Sequence, residues 1–374
     1  MTNKISISCF IIVLFLELIF AMPTRACTDF LVKASDGTCI VGRSMEWGAD
    51  LKSRVWLYPD KQARSSKAPD GKPGLSWQSK YGYIGLDGNN MAITLDGLNE
   101  KGLSLELLWL PGTIYQSVPE SASSTAVNLL DLGDYVLGNF KSVAEVKAEI
   151  GKVRVWAPEC PEWGGMPTAH LAIHDDSGAS AVIEFINGEQ KVHDNPVHVL
   201  TNAPAFDWHL TNLANYSRLS AANPKPVTAG GAVLAPPGQG AGFLGVPGDW
   251  TPPSRFVRTF AMLEFAKTPA NTRQGVNLAM HILNAVDIPL GDVRQSSGDL
   301  NYCDYTQWSV IKDLTNRVFY FRSYNNSSLK AIDLKKLDFN KSAKPHVLVP
   351  IEGRPSKPFA PLDGPDYFEQ LLRN

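Results

Sequence analysis

The chain of 374 residues is 44% hydrophobic, 19% charged and 10% aromatic, the balance of a folded globular protein with a sizeable core. Its 35 Lys and Arg against 37 Asp and Glu leave a net charge of -2, so no broad positive field exists to hold nucleic acid or an anionic lipid surface. One long apolar run, at the N-terminus, excludes a multi-span membrane protein.

That run is the first element in the chain. Lys4 precedes an apolar stretch over residues 5–21, broken by Glu17, and Pro23 leads into Thr24-Arg25-Ala26, the pattern of a secretory signal peptide. Small residues at 24 and 26 place the cut after Ala26, making 1–26 the signal and Cys27 the first residue of an exported, periplasmic or secreted domain over 27–374. An uncleaved anchor is the first alternative, disfavoured by an apolar run short of about 20 residues. A lipidated Cys27 is the second, disfavoured by Thr24 and Arg25 where a lipidation signal wants an aliphatic and a small residue.

Two β-rich runs, 27–34 and 38–46, flank Asp36-Gly37 and predict a hairpin. A two-residue turn there sets Glu46 opposite Cys27 and sends Arg43 to the other face, so a bulge or slipped register is required if Arg43 also serves Cys27. A second hairpin runs from Met91 through a turn at Asn99-Glu100-Lys101-Gly102 and returns over Leu103–Trp109, where alternating Leu and polar residues predict a half-buried strand. A meander follows over Ala169–His174, Ala181–Ile186 and Val197–Leu200, and a last hairpin joins Trp308–Ile311 to Val318–Phe321. Helical periodicity is expected over 126–137, over 143–150 behind Ser142, over 256–265 behind Pro253, and over 276–285. Residues 222–252 carry too many Gly and Pro for a regular element, and the tail after about residue 340 reads as a surface wrap. Strands and helices come in blocks, so the fold class is α+β with antiparallel sheets.

Cys9 leaves with the signal, and Cys27, Cys39, Cys160 and Cys303 remain, too scattered for a stapled scaffold. Cys39, Cys160 and Cys303 are expected as small buried side chains and Cys27 as a free thiol. No CxxC pair or Cys/His cluster supports a metal, and His170 and His174, four apart in a strand, read as neighbours on one sheet face. A cysteine at the first mature position carries its own base: the free α-amine, which ordinarily titrates at about 7.7–8.0, takes the thiol proton, and a cationic neighbour favours thiolate.

Cys27-Thr28, Gly42-Arg43-Ser44-Met45-Glu46-Trp47, Asp96-Gly97-Leu98-Asn99-Glu100-Lys101-Gly102-Leu103, Leu200-Thr201-Asn202-Ala203-Pro204, Ser254-Arg255-Phe256-Val257-Arg258 and Tyr305-Thr306-Gln307-Trp308 together resemble the choloylglycine hydrolase family. That family, within the N-terminal nucleophile hydrolases, includes conjugated bile salt hydrolases and penicillin V acylases. The resemblance implies a four-layer αββα sandwich that hydrolyses linear amide carbon–nitrogen bonds without metal or cofactor. It implies Cys27 as nucleophile, Arg43 and Arg255 as the two site arginines, and Asn202 as an oxyanion donor through its amide NH2. Glu46 stands where the family more often has Asp, a difference of about 1.5 Å in reach. Trp109 replaces Asn or Tyr: its backbone N–H keeps the second oxyanion position, while its ring, with Trp47, makes a more apolar substrate pocket resembling the Gram-negative branch. The partner implied is a small acyl amide, with assembly as a dimer or tetramer. A bile salt hydrolase, a non-catalytic exported binding protein and a papain-like protease are the competing readings, the last lacking its Cys-Gly-Ser-Cys-Trp context.

Overall fold

The structure, a computed structural model, describes residues 26–294, 303–340 and 344–351; of the expected signal segment only Ala26 is among them. In chain order the principal strands are β1 (Cys27–Lys33), β2 (Cys39–Trp47), β3 (Arg54–Tyr58), β4 (Tyr83–Gly88), β5 (Met91–Asn99), β6 (Ser104–Trp109), β7 (Ala169–His174), β8 (Ser180–Ile186), β9 (Glu189–Asp194), β10 (Val199–Leu200), β11 (Cys303–Asp313), β12 (Val318–Ser323), β13 (Asn326–Asp333) and β14 (His346–Pro350). One sheet has the order β10-β1-β2-β11-β12-β13, with Val293–Arg294 added on β11. The other has the order β9-β8-β7-β6-β5-β4-β3-β14. All their pairings are antiparallel.

Helix α1 (Leu129–Asn139) covers β5 and β6, with α2 (Val143–Glu149) following it. On the other side, α3 (Phe206–Leu213) packs on α4 (Pro252–Phe265), α4 lies over β1 and β10, and α5 (Thr272–Asn284) lies over β1, β2 and β11. This is the expected α+β architecture, two antiparallel sheets between helical layers. Local chemistry sets the helix ends: Ser142 Oγ accepts from Glu145 N at 3.2 Å, Asn271 Oδ1 from Gln274 N at 3.2 Å, and Pro252 and Pro253 open α4. Helix α1 sits unusually close to its sheet because a Cβ on Gly97 would lie 2.4 Å from Leu137 Cδ1, and one on Gly133 would lie 2.7 Å from Thr94 Cβ.

Several expectations are corrected. The first hairpin closes through a three-residue loop, Ser35-Asp36-Gly37: Ala34 N donates to Thr38 O at 2.8 Å, and Gly37, at φ +88°, takes the left-handed position of a bulged turn. The register moves by one, so Cys27 pairs with Met45 and Asp29 with Arg43. Cys27 and Arg43 therefore share a face without any bulge, and Glu46 points to the opposite one. Strand β6 is buried on both faces rather than half-buried, because the first sheet covers the face that carries Ser104 and Glu106. The meander stops at β9, and Val199–Leu200 crosses to pair with β1 in the other sheet. Residues 126–128 are a short strand and the helix begins at Leu129. The Gly/Pro-rich stretch holds a small exposed hairpin, Val227–Ala229 with Ala232–Leu234. Part of the expected wrap, β14, extends the second sheet against β3; the rest, after 351, lies outside the described residues. Cys27, Cys39, Cys160 and Cys303 are all buried and unbridged.

Candidate active site

Register places Cys27 at the start of β1, facing into the inter-sheet layer and 1% exposed. Its peptide nitrogen, still joined to Ala26, stands in for the α-amine that a cut after Ala26 would release. It donates to Asn202 Oδ1 at 2.7 Å. Sγ lies 3.9 Å from Arg43 Nη2 and 3.8 Å from Met45 Sδ, and the Trp109 backbone N–H also hydrogen-bonds it. Burial pushes the Cys27 thiol up, while Arg43 pulls it down and Glu46 adds to the rise.

Arg43 is aimed by its other contacts: Nη1 donates to Leu95 O at 2.5 Å and reaches Asp96 at 3.3 Å, and Nη2 donates to Leu107 O at 2.6 Å. Arg255, at the start of α4, closes the opposite side, with Nη1 on Cys27 O at 2.5 Å and Thr28 Oγ1 at 2.6 Å, and Nη2 on Asn202 Oδ1 at 2.8 Å. Asn202 Nδ2 donates to Trp109 O at 2.7 Å. Glu46, on the α4 side of β2, accepts from Thr306 Oγ1 at 2.8 Å. Burial raises the Glu46 carboxyl to about 7, with Arg255 opposing. Of the seven residues singled out from sequence, Arg43, Trp47 and Trp109 lie about the Cys27 thiol, Asn202 and Arg255 hold the Cys27 backbone, and Glu46 lies on the opposite face of β2.

Trp163 was not foreseen. Its ring centroid lies 5.2 Å from Trp47, which is 5.6 Å from Trp109, both edge-on. With Met45, Leu95, Leu107 and Leu108 the three indoles leave a cavity of about 20 Å³ over Cys27, room for about one water. No periodicity marks Trp163, which ends a short 3-10 turn, Pro161–Trp163, 136 residues from Cys27. His209 is a second addition: its Nε2 lies 2.9 Å from Asn202 O and its ring stacks on Phe256 at 4.5 Å. A larger cavity of about 260 Å³ lies by Asp287, Thr306, Arg322 and Tyr324; it approaches Glu46 through Thr306 and is not lined by Cys27.

His170 and His174 share the inner face of β7. His170 contacts Glu184 at 3.0 Å and Thr201 O at 2.9 Å, and His174 contacts Asp29 at 2.8 Å. Asp29, Glu106 and His174 bring ligand atoms within 4.8 Å of one another. The Lys312 ammonium already occupies Glu106, and His174 occupies Asp29, so this donor set is built as ion pairs and does not fit a divalent cation. Among the described residues no helix is long and apolar enough to cross a membrane.

A buried thiol, a nitrogen held by an amide oxygen, two arginines and a backbone N–H beside the sulfur can carry out acyl transfer. A family model described as linear amide C–N hydrolases, choloylglycine hydrolase family, matches residues 27–346. The bile salt hydrolase/transferase of Clostridium perfringens (strain 13 / Type A) is 31% identical over 314 residues, covering 83% of this chain and 93% of that protein. The penicillin V acylase of Pectobacterium atrosepticum is 29% identical over 335 residues, 84% and 82% of the two chains. Among solved structures, a variant of the conjugated bile acid hydrolase from Clostridium perfringens superposes with a TM-score of 0.74 at 28% identity, covering 86% of this chain and 96% of that one. The penicillin V acylase from Agrobacterium tumefaciens gives 0.70 at 26% identity, with 86% and 91% covered.

Proposed function

The chain belongs to the choloylglycine hydrolase family of linear amide carbon–nitrogen hydrolases, and we propose that in it Cys27, released at its amine by removal of residues 1–26 on export, cleaves penicillin V-type and long unbranched N-acyl amides. The α-amine, held by Asn202 Oδ1, takes the thiol proton, and the sulfur attacks the amide carbonyl beside Arg43. Charge gathering on the carbonyl oxygen is met by the Trp109 N–H and the Asn202 amide. The proton returns to the leaving nitrogen, the amine departs, and water, deprotonated by the same α-amine, hydrolyses the thioester. Glu46, buried behind the nucleophile, balances the ammonium formed at each transfer.

The observation that carries the substrate class is the wall of Trp47, Trp109 and Trp163 around a nearly filled cavity. Flat indoles admit a phenoxy ring or a single alkyl chain by sliding apart, gaining about 25 cal/mol per Å² of apolar surface covered. A hydroxylated steroid is broader and gains less. Conjugated bile salt hydrolysis is the second reading, favoured by the likeness to the Clostridium perfringens enzyme.

N-terminal sequencing of the exported protein should read Cys27 first, and Cys27→Ser should process normally and lose nearly all turnover. On one preparation, kcat/KM for penicillin V or a long-chain acyl homoserine lactone should exceed that for a glycine-conjugated bile salt. A bile salt ahead by more than about tenfold, roughly 1.4 kcal/mol, would overturn the substrate class. An active protein beginning elsewhere would overturn the mechanism.

A further inference from the structure

Beneath Arg43, away from the cavity, the two sheets enclose a layer of charge. Asp29 of β1, Arg43 of β2, Asp96 of β5, Glu106 of β6, His174 of β7 and Lys312 of β11 are each fully buried there. Lys312 is its centre. Its Nζ lies 2.9 Å from both Asp96 oxygens and hydrogen-bonds Glu106 Oε1. Arg43 meets the same Asp96 at 3.3 Å, the longer of the two pairings, and turns Nη2 toward Cys27 Sγ. Three carboxylates face two permanent cations. His174, joined to Asp29 at 2.8 Å, supplies the third when protonated; burial works against that charge, but Asp29 outweighs it and its pKa is raised.

We propose that Lys312 is a positioning residue for the nucleophile: by holding Asp96 and Glu106 it keeps the charge of Arg43 directed at the Cys27 sulfur, so that thiolate is favoured from across the inter-sheet layer. This rests on Cys27 being the nucleophile. The other charged groups near the sulfur, Glu46 behind β2 and Arg255 of α4, contact neither Lys312 nor Asp96, so changes at those two positions report on the layer alone.

The test is the pH dependence of Cys27 alkylation by iodoacetamide in the active enzyme, located by mass spectrometry, alongside the acid limb of kcat/KM. Lys312→Met leaves Asp96 to neutralise Arg43 and should raise the apparent thiol pKa by about one pH unit. Asp96→Asn removes that anion and should lower it by a similar amount. Lys312→Arg should restore the wild-type profile. Opposite shifts support the inference; unmoved profiles, or shifts in the same direction, overturn it. If Lys312→Met does not fold, Asp96→Asn, which preserves side-chain shape, decides alone: a lowered pKa supports the inference and an unchanged or raised one overturns it. Failure of the parent reading is separable, because activity would then survive full alkylation of Cys27 in the wild type.

Discussion

At Asn202 the amide is fixed by its partners. Oδ1 receives the Cys27 nitrogen at 2.7 Å and Arg255 Nη2 at 2.8 Å, so the NH2 must point the other way, where one N–H meets Trp109 O at 2.7 Å. In the proposed mechanism the second N–H meets the substrate oxygen. Asn202→Ala should therefore lower kcat by about 10² to 10³ with little change in KM, as loss of an oxyanion donor does. An unchanged kcat, with the thermal midpoint also unchanged, would reduce Asn202 to a tether for the chain's new end. Most of the residues gathered here were legible, because they lie in or near short blocks that resemble the family; Trp163 lies outside them. How they face was not. The Cys27 register hinged on whether Gly37 is the second or the third residue of its turn, and a Gly after an Asp satisfies both turn types in sequence.

At the level of elements, the block Asp96–Leu103 shows why a site of this kind carries residues that never touch it. Asn99 ends β5 with four hydrogen bonds: Nδ2 to Leu137 O and Phe140 O at 2.9 and 2.7 Å, and Oδ1 from Lys101 N and Leu103 N at 2.9 and 3.0 Å. It fastens the C-terminus of α1 to the β5–β6 turn, while Gly97 two residues earlier lets the helix settle on the sheet. Asn99→Ala strands several buried polar groups and should cost about 3 kcal/mol, seen as a lower denaturant midpoint. The kcat of the folded fraction should stay near wild type, since Asn99 contacts none of the residues around Sγ; a large kcat loss at full folding would show that α1 and the Arg43 carbonyl ligands are coupled. Sequence periodicity located both strands and the turn, but it read β6 as half-exposed. Nothing local shows that Lys312, 206 residues later, waits opposite Glu106.

Across the whole molecule, two buried histidines, His174 and His209, and the half-buried His198 divide the pH axis. Burial lowers His209 to about 4 and His198 to about 4, so each stays neutral in the fold while its unfolded counterpart takes up a proton below about 6.5. Stability from these two is present above about pH 6.5 and is lost as pH falls toward 4. His174 runs in the opposite sense: its pKa is raised, its contribution is complete below about 6.5, and it fades as pH climbs through the folded value. The fold is thus held from both sides, and the acid side passes through the active site, because His209 Nε2–H supports the Asn202 carbonyl and its ring is wedged on Phe256. His209→Gln keeps a donor for Asn202 O and removes the titration. Urea unfolding measured between pH 6.5 and 4.5 should then show a shallower fall in stability than wild type. The difference is at most about 1.4 kcal/mol per pH unit, the slope of one proton taken up only by the unfolded chain. An identical slope in the two proteins would mean that His209 is already charged in the native state, and that Asn202 is held beside a cation instead of a neutral imidazole.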